Sequence, residues 1–327
     1  MSQAKLVGQY ELLDELGEGA AGVAYRARHH ETGEPVAIKL LHAELDGDIE
    51  LQRRFVREVS VLQRLEHPNI VGHKDCGLHD DKLYFAMELV DSGTLDQVLR
   101  QRGALPWRLA TEVAIKVCRA LSHAHAEGVI HRDLKPANLF LSAEGEVKVG
   151  DFGLARDLNQ HRLTVEGQTV GTCRFMAPEQ VQGQADLTGA VDLYALGCLL
   201  FQMVVGQPPF DGTTIVEVFE KHLFAERPRL SEKAPGVPAA LDEVVQRLLA
   251  QDPEDRPADA DRVIVLLEAV LAGEPLPARP ADEPEQNLTE QLTSPPEAGN
   301  PNVALAAGLV GAAAIFGVLA WLLFGQN

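Results

Sequence analysis

Six short motifs, strung in order between residues 17 and 179, leave this chain few folds to choose from. Gly17-Glu18-Gly19-Ala20-Ala21-Gly22 comes first, then Val36-Ala37-Ile38-Lys39. Glu58 follows Lys39 by nineteen residues, inside the helix-like run RRFVREVSVLQRL. Then come Ile130-His131-Arg132-Asp133-Leu134-Lys135-Pro136-Ala137-Asn138 and, thirteen residues after Asn138, Asp151-Phe152-Gly153. Ala177-Pro178-Glu179 closes the series, with 29 residues from Asp151 to Glu179 inclusive. Any one of these strings arises by chance; all six in this order do not.

Taken singly, the early motifs have competing readings. Glycines permit a tight turn whose backbone N–H groups approach phosphate, yet the same spacing marks dinucleotide-binding folds and ordinary turns. A dinucleotide fold requires a helix directly after Gly22. Val23-Ala24-Tyr25-Arg26-Ala27-Arg28 instead continues as strand, which favours a hairpin lid over phosphates. A lysine ending an apolar strand, as Lys39 does, commonly snorkels to the surface. Facing Glu58 across an interior, it would form an ion pair that orients the ammonium toward phosphates. Glu58 alone reads equally as a solvated helix charge.

The ordered set resembles the eukaryotic-type protein kinase family, Ser/Thr branch, of bacterial character, over about residues 10–273. The resemblance implies an α+β fold of two lobes: a small β-rich lobe with one helix (about 10–90) and a larger, mainly helical lobe (about 91–273). It implies ATP and Mg²⁺ as cofactors and protein Ser/Thr hydroxyls as acceptors. Asp133 would accept or orient the hydroxyl proton. Asn138 and Asp151 would offer the oxygen ligands that Mg²⁺, a hard cation, prefers. Lys39, fixed by Glu58, would hold the α and β phosphates, and Lys135 would reach the γ-phosphate. Leu16, Gly17, Glu18, Gly19, Ala20, Ala21, Gly22, Val23, Ala24, Ala37, Met87 and Phe140, with the backbone of Glu88 and Val90, would line the nucleotide site. Ala24 stands where the family usually has Val, so the pocket roof is smaller. No catalytic position is substituted; the alternative is a membrane-anchored pseudokinase scaffold that binds nucleotide and partners without transfer. The resemblance further implies that Asp192 holds the catalytic loop, that Arg256 pairs with Glu179, and that Thr172 is structural. Thr164 and Thr169 become candidates for activating autophosphorylation opposite Arg132.

Outside the motifs, periodicity organises the rest. Up to about Leu89, YELLDELG, GVAYRARHH, EPVAIKLL and KLYFAMELV alternate as strands, interrupted by a helical pattern from about Leu51 to Leu65. EVKVG, before Asp151, is another strand. Helical patterns then cover Pro106 to Glu127, Val191 to Val205, Ala239 to Ala250 and Ala258 to Ala272. Residues 274–302 hold seven prolines, six acids and one base, and are expected to be a disordered linker. Residues 303–324 are 22 consecutive uncharged, apolar-dominated positions, about 33 Å as a helix against a hydrocarbon core of ~30 Å. They are expected to cross a lipid bilayer as a C-terminal tail anchor, since the first residues lack a signal peptide's apolar core. The kinase-like region would then stay cytoplasmic. Ala304, Gly308 and Ala312 recur every four residues, a spacing that would suit self-association into a homodimer. The net charge of −19 (29 basic against 48 acidic residues) argues against nucleic-acid binding. Four cysteines, at 76, 118, 173 and 198, show neither metal-ligand nor disulfide-framework spacing.

Overall fold

In a computed structural model of the chain, residues 5–19, 22–44, 62–80, 82–152 and 170–278 are described. Among the described residues the small lobe is one antiparallel sheet of six strands: β1 (Leu6–Val7), β2 (Tyr10–Gly19), β3 (Gly22–His29), β4 (Pro35–Glu44), β5 (His73–His79) and β6 (Lys82–Glu88). Their order is β1-β2-β3-β4-β6-β5. Because side chains alternate across a strand, the register divides β4 into two working faces. Val36 and Ile38 join Val7, Tyr10, Leu12, Ala27, Tyr84 and Ala86 in a buried cluster on one face. Ala37 and Lys39 point the other way, opposite Met87 and Phe85 on β6, and Lys39 also faces Ala24 on β3. The run VAIKL thus supplies core and cleft by turns. The predicted helix over 51–65 lies outside the described residues except for its last turn.

The large lobe is helical. α1 (Leu95–Arg102) and α2 (Trp107–Ala126) lead to a short 3₁₀ turn (Pro136–Asn138) and the hairpin strands β7 (Leu139–Leu141) and β8 (Val147–Val149). After residue 170 come α3 (Val170–Cys173), α4 (Pro178–Val181), α5 (Ala190–Val205), α6 (Ile215–Phe224), α7 (Leu230–Lys233), α8 (Ala239–Leu248) and α9 (Ala260–Ala272). α5 is apolar on every side, and each residue from Val191 to Phe201 is buried, as a central helix requires. α2 and α8 pack against it, and α9 packs on α2 and α8. A Cβ at Gly197 would stand 2.8 Å from Leu248 Cβ, so glycine is what lets α5 and α8 approach this closely.

The lobes join behind the cleft by backbone bonds. Val71 N–H donates to Val149 O (2.9 Å) and Val149 N–H to Asn69 O (2.8 Å), so β8 is held to the chain entering β5. A side-chain pair reinforces this junction: Lys148 Nζ lies 3.0 Å from Glu88 Oε1, and Gly72 N–H donates to Glu88 Oε2 at 3.1 Å. Among the described residues no helix is long and apolar enough to cross a membrane. The 303–324 segment lies outside them, as does most of the 274–302 stretch.

Candidate active site

The cleft is built from four loop residues and one strand lysine. Asp192, 1% exposed at the start of α5, accepts His131 N–H through Oδ2 and Arg132 N–H through Oδ1, both at 2.8 Å. His125 Nε2, on α2, lies 2.8 Å from the same Oδ2. A buried carboxylate is tolerable only with such partners. His131, fully buried, ties the loop to β8. Its Nδ1 receives Asp133 N–H (3.2 Å), so its Nε2 carries the proton given to Gly150 O (2.9 Å).

On this base Asp133 projects into the cleft with Lys135 Nζ 2.8 Å from its Oδ2. Lys135 also donates to Thr172 Oγ1 at 3.3 Å. Asn138 is buried and gives its amide N–H to Asp133 O (2.8 Å) and Oδ2 (3.4 Å). Its nitrogen being committed, the side-chain oxygen is the atom left for a hard cation. Asp151 adopts left-handed backbone, φ +57°, directly after Gly150. A Cβ at Gly150 would meet the Phe140 ring at 2.6 Å, so a larger residue here would require that ring to shift.

Lys39 reaches across the cleft to Asp151, Nζ to Oδ1 at 2.7 Å. Desolvation in the cleft pushes the Asp151 carboxyl up. The Lys39 ammonium outweighs it, with smaller help from His131 and Lys135, so the carboxyl lies below the usual carboxylate range. Asp151 therefore stays anionic, and its side chain keeps a third of its surface open to the cleft. With Asn138 it forms an all-oxygen donor pair that fits Mg²⁺.

The other expected positions fall as follows. Gly17, Glu18 and Gly19 end β2, and Gly22, Val23 and Ala24 begin β3, so the glycine run is a hairpin and no helix follows it. Leu16 is exposed on β2. Ala37 and Met87 are register partners, Glu88 ends β6, Val90 follows it, and Phe140 sits half-buried on β7. Ala20, Ala21, Glu58, Thr164 and Thr169 lie outside the described residues, so the expected Lys39–Glu58 pair does too. Glu179 and Arg256 form a buried bidentate pair at 2.6 and 2.8 Å, and Arg256 also donates to the carbonyls of Ala190, Ala250 and Gln251.

Sequence reasoning missed three partners here. His125 supports Asp192, Lys148 meets the Glu88 carboxylate, and Gln180 bonds to Arg132 O. Each pair is far apart in the chain and follows no periodicity. Only the position of Gln180, directly after Ala177-Pro178-Glu179, gave any signal.

The protein kinase domain family matches residues 10–266. The chain belongs to the protein kinase family. Serine/threonine-protein kinase PkaA of Streptomyces coelicolor is 42% identical over 267 residues, covering 77% of this chain and 48% of PkaA. Serine/threonine-protein kinase PknJ of Mycobacterium tuberculosis is 38% identical over 279 residues, covering 84% of this chain and 47% of PknJ. This kinase thus spans about half the length of these curated relatives. Among solved structures, the Mycobacterium tuberculosis PknI kinase domain (C20A mutant) superposes with a TM-score of 0.66 at 29% identity, covering 83% of this chain and 98% of that one. The family's cofactors, ATP and Mg²⁺, suit a cleft that holds Lys39 and the Asn138 and Asp151 oxygens.

Proposed function

We propose that this kinase transfers the γ-phosphoryl group of ATP to Ser and Thr hydroxyls of proteins. One observation carries the reading: Lys135 and Asn138 each lie within 3.4 Å of the Asp133 carboxylate, while Lys39 from the other lobe meets Asp151. Phosphoryl transfer needs alignment and charge neutralisation more than covalent chemistry. Asp133, an acceptor, orients the hydroxyl and takes its proton. Lys135, beside it, neutralises charge on the transferring group, and Lys39 steadies the phosphates from above. Asn138 and Asp151 would hold Mg²⁺, which would supply further charge neutralisation. The pseudokinase reading has no substituted catalytic position to support it.

The full chain with Mg·ATP and myelin basic protein is expected to yield phosphoserine and phosphothreonine. Asp133→Asn is expected to lower the rate roughly 100-fold or more. Equal rates for the two proteins, or no transfer by the unmodified chain, would refute the proposal.

Two further elements belong to this reading. The uncharged run 303–324 tethers the kinase to a lipid bilayer, and its small-residue spacing brings two copies together. Autophosphorylation at Thr164 or Thr169 orders the activation loop opposite Arg132. Deleting 303–324 is expected to move the protein from the membrane pellet to the supernatant. Mass spectrometry of the active protein is expected to find phosphate on one of the two threonines.

A further inference from the structure

Arg132 lies in left-handed backbone, φ +63°. Such a conformation is costly for a residue with a Cβ and persists where its surroundings over-determine it. Here both flanking peptide groups are held by side chains. On one side Arg132 N–H donates to Asp192 Oδ1 at 2.8 Å. On the other, Arg132 O accepts from Gln180 Nε2 at 3.1 Å.

That carbonyl belongs to the peptide joining Arg132 to Asp133. The peptide is planar, so fixing its oxygen fixes the plane that carries the Asp133 N–H and Cα, from which the side chain departs. The other end of the Gln180 amide is equally committed: Oε1 accepts Ala177 N–H at 3.0 Å. The two ends cannot be exchanged. Ala177 N–H only donates and Arg132 O only accepts, so a primary amide is the group this gap specifies. A carboxylate would keep the first bond and lose the second, while an alkyl chain would lose both. The same segment, residues 170–181, also receives Lys135 through Thr172 Oγ1 at 3.3 Å. Asp133 is therefore flanked by two links to one segment, before it through Gln180 and after it through Thr172.

We propose that Gln180 is a positioning residue for Asp133, holding the Arg132–Asp133 peptide in the plane that aims the carboxylate at the acceptor hydroxyl. The inference rests on the proposed role of Asp133 in phosphoryl transfer.

The test compares the full chain with its Gln180→Met and Gln180→Glu variants, using Mg·ATP and myelin basic protein. Both variants are expected to bind nucleotide with unmodified stoichiometry and with Kd within twofold. KM for the protein acceptor is expected to stay within twofold, and kcat to fall about tenfold, the scale of one lost hydrogen bond in the transition state. An unchanged kcat overturns the proposal. So does a fall that is fully explained by lost nucleotide-binding sites or confined to a raised acceptor KM. If Gln180→Met fails to bind nucleotide, Gln180→Glu decides by the same criteria, because it keeps the Ala177 bond. Loss of nucleotide sites in both variants assigns Gln180 a purely structural role and overturns the proposal. Failure of the unmodified chain to transfer phosphate would instead remove the role of Asp133 itself. Transfer by the unmodified chain with unaffected variants removes only the role of Gln180.

Discussion

A methyl group placed on Gly22 would land on the Leu40 carbonyl oxygen, with Leu40 C and Leu41 Cα both at 2.9 Å. Those are backbone atoms of the paired strand, so no rotamer change relieves the clash. At Gly17 and Gly19 nothing among the described residues lies within 4 Å of the same added atom. The three glycines, indistinguishable as letters, thus answer to different demands. Gly22 is required by the pairing of β3 with β4, whereas Gly17 and Gly19 leave open space for phosphate to meet backbone N–H groups. Gly22→Ala is expected to destabilise the fold by about 1–3 kcal/mol, the range for overpacking. Gly17→Ala is expected to leave the denaturation midpoint unchanged and to weaken ATP binding alone. Thermal unfolding and nucleotide titration of both variants check this. Equal stability losses at the two positions would contradict it.

α1 is specified by its cap more than by its apolar pattern. Thr94 Oγ1 accepts Gln97 N–H at 3.4 Å while Thr94 N–H donates to Gln97 Oε1 at 3.0 Å, a reciprocal capping box. Thr94→Ala removes the first of these bonds and is expected to cost about 1 kcal/mol, read as a lower urea midpoint with unchanged slope. The sequence reading passed over this helix and α6, although Thr214 caps α6 in the same manner by accepting Glu217 N–H at 3.2 Å. Both are short, and periodicity shows best in long helices such as α2, α5 and α9, which were legible to within a residue or two. β5 was missed for another reason. HKDCGLH carries little apolar alternation, and its place in the sheet comes from backbone pairing with β6. The cleft was legible at the motif positions the structure brings together, Lys39 with Asp151 and Asp133 with Asn138. It was illegible where one side chain merely holds another element's backbone, as His125, Lys148 and Gln180 do. Such contacts leave no spacing rule in a single sequence.

Across the whole molecule, stability depends on pH through a buried histidine outside the cleft motifs. His222, on α6, is 1% exposed and packs edge-on to Phe210 with ring centroids 5.0 Å apart. Its Nδ1 lies 2.8 Å from the Tyr194 hydroxyl on α5. One turn earlier on the same face of α6, Val218 packs with Cys173 and Met176, so this one helix links the central core to the segment that carries Thr172. Burial lowers the His222 pKa from 6.5 to about 4, against a smaller upward pull from the backbone carbonyls of Cys173 and Arg174. The ring is therefore neutral in the fold, while the unfolded chain takes up a proton below about pH 6.5. Where the unfolded state binds more protons, stability falls as pH falls. The loss begins near pH 6.5 and ends near pH 4, where the folded form is protonated too. Between pH 7.5 and 5 this group alone accounts for about 2 kcal/mol. His67 and His73, whose pKa values burial also lowers, act in the same direction. The contribution of His222 is therefore isolated by difference. Urea unfolding at the two pH values is expected to show a drop in His222→Gln that is smaller than in the unmodified chain by about 2 kcal/mol. An identical drop in both proteins would mean that His222 is protonated within the fold, and that the contact of α6 with α5 does not depend on its neutrality.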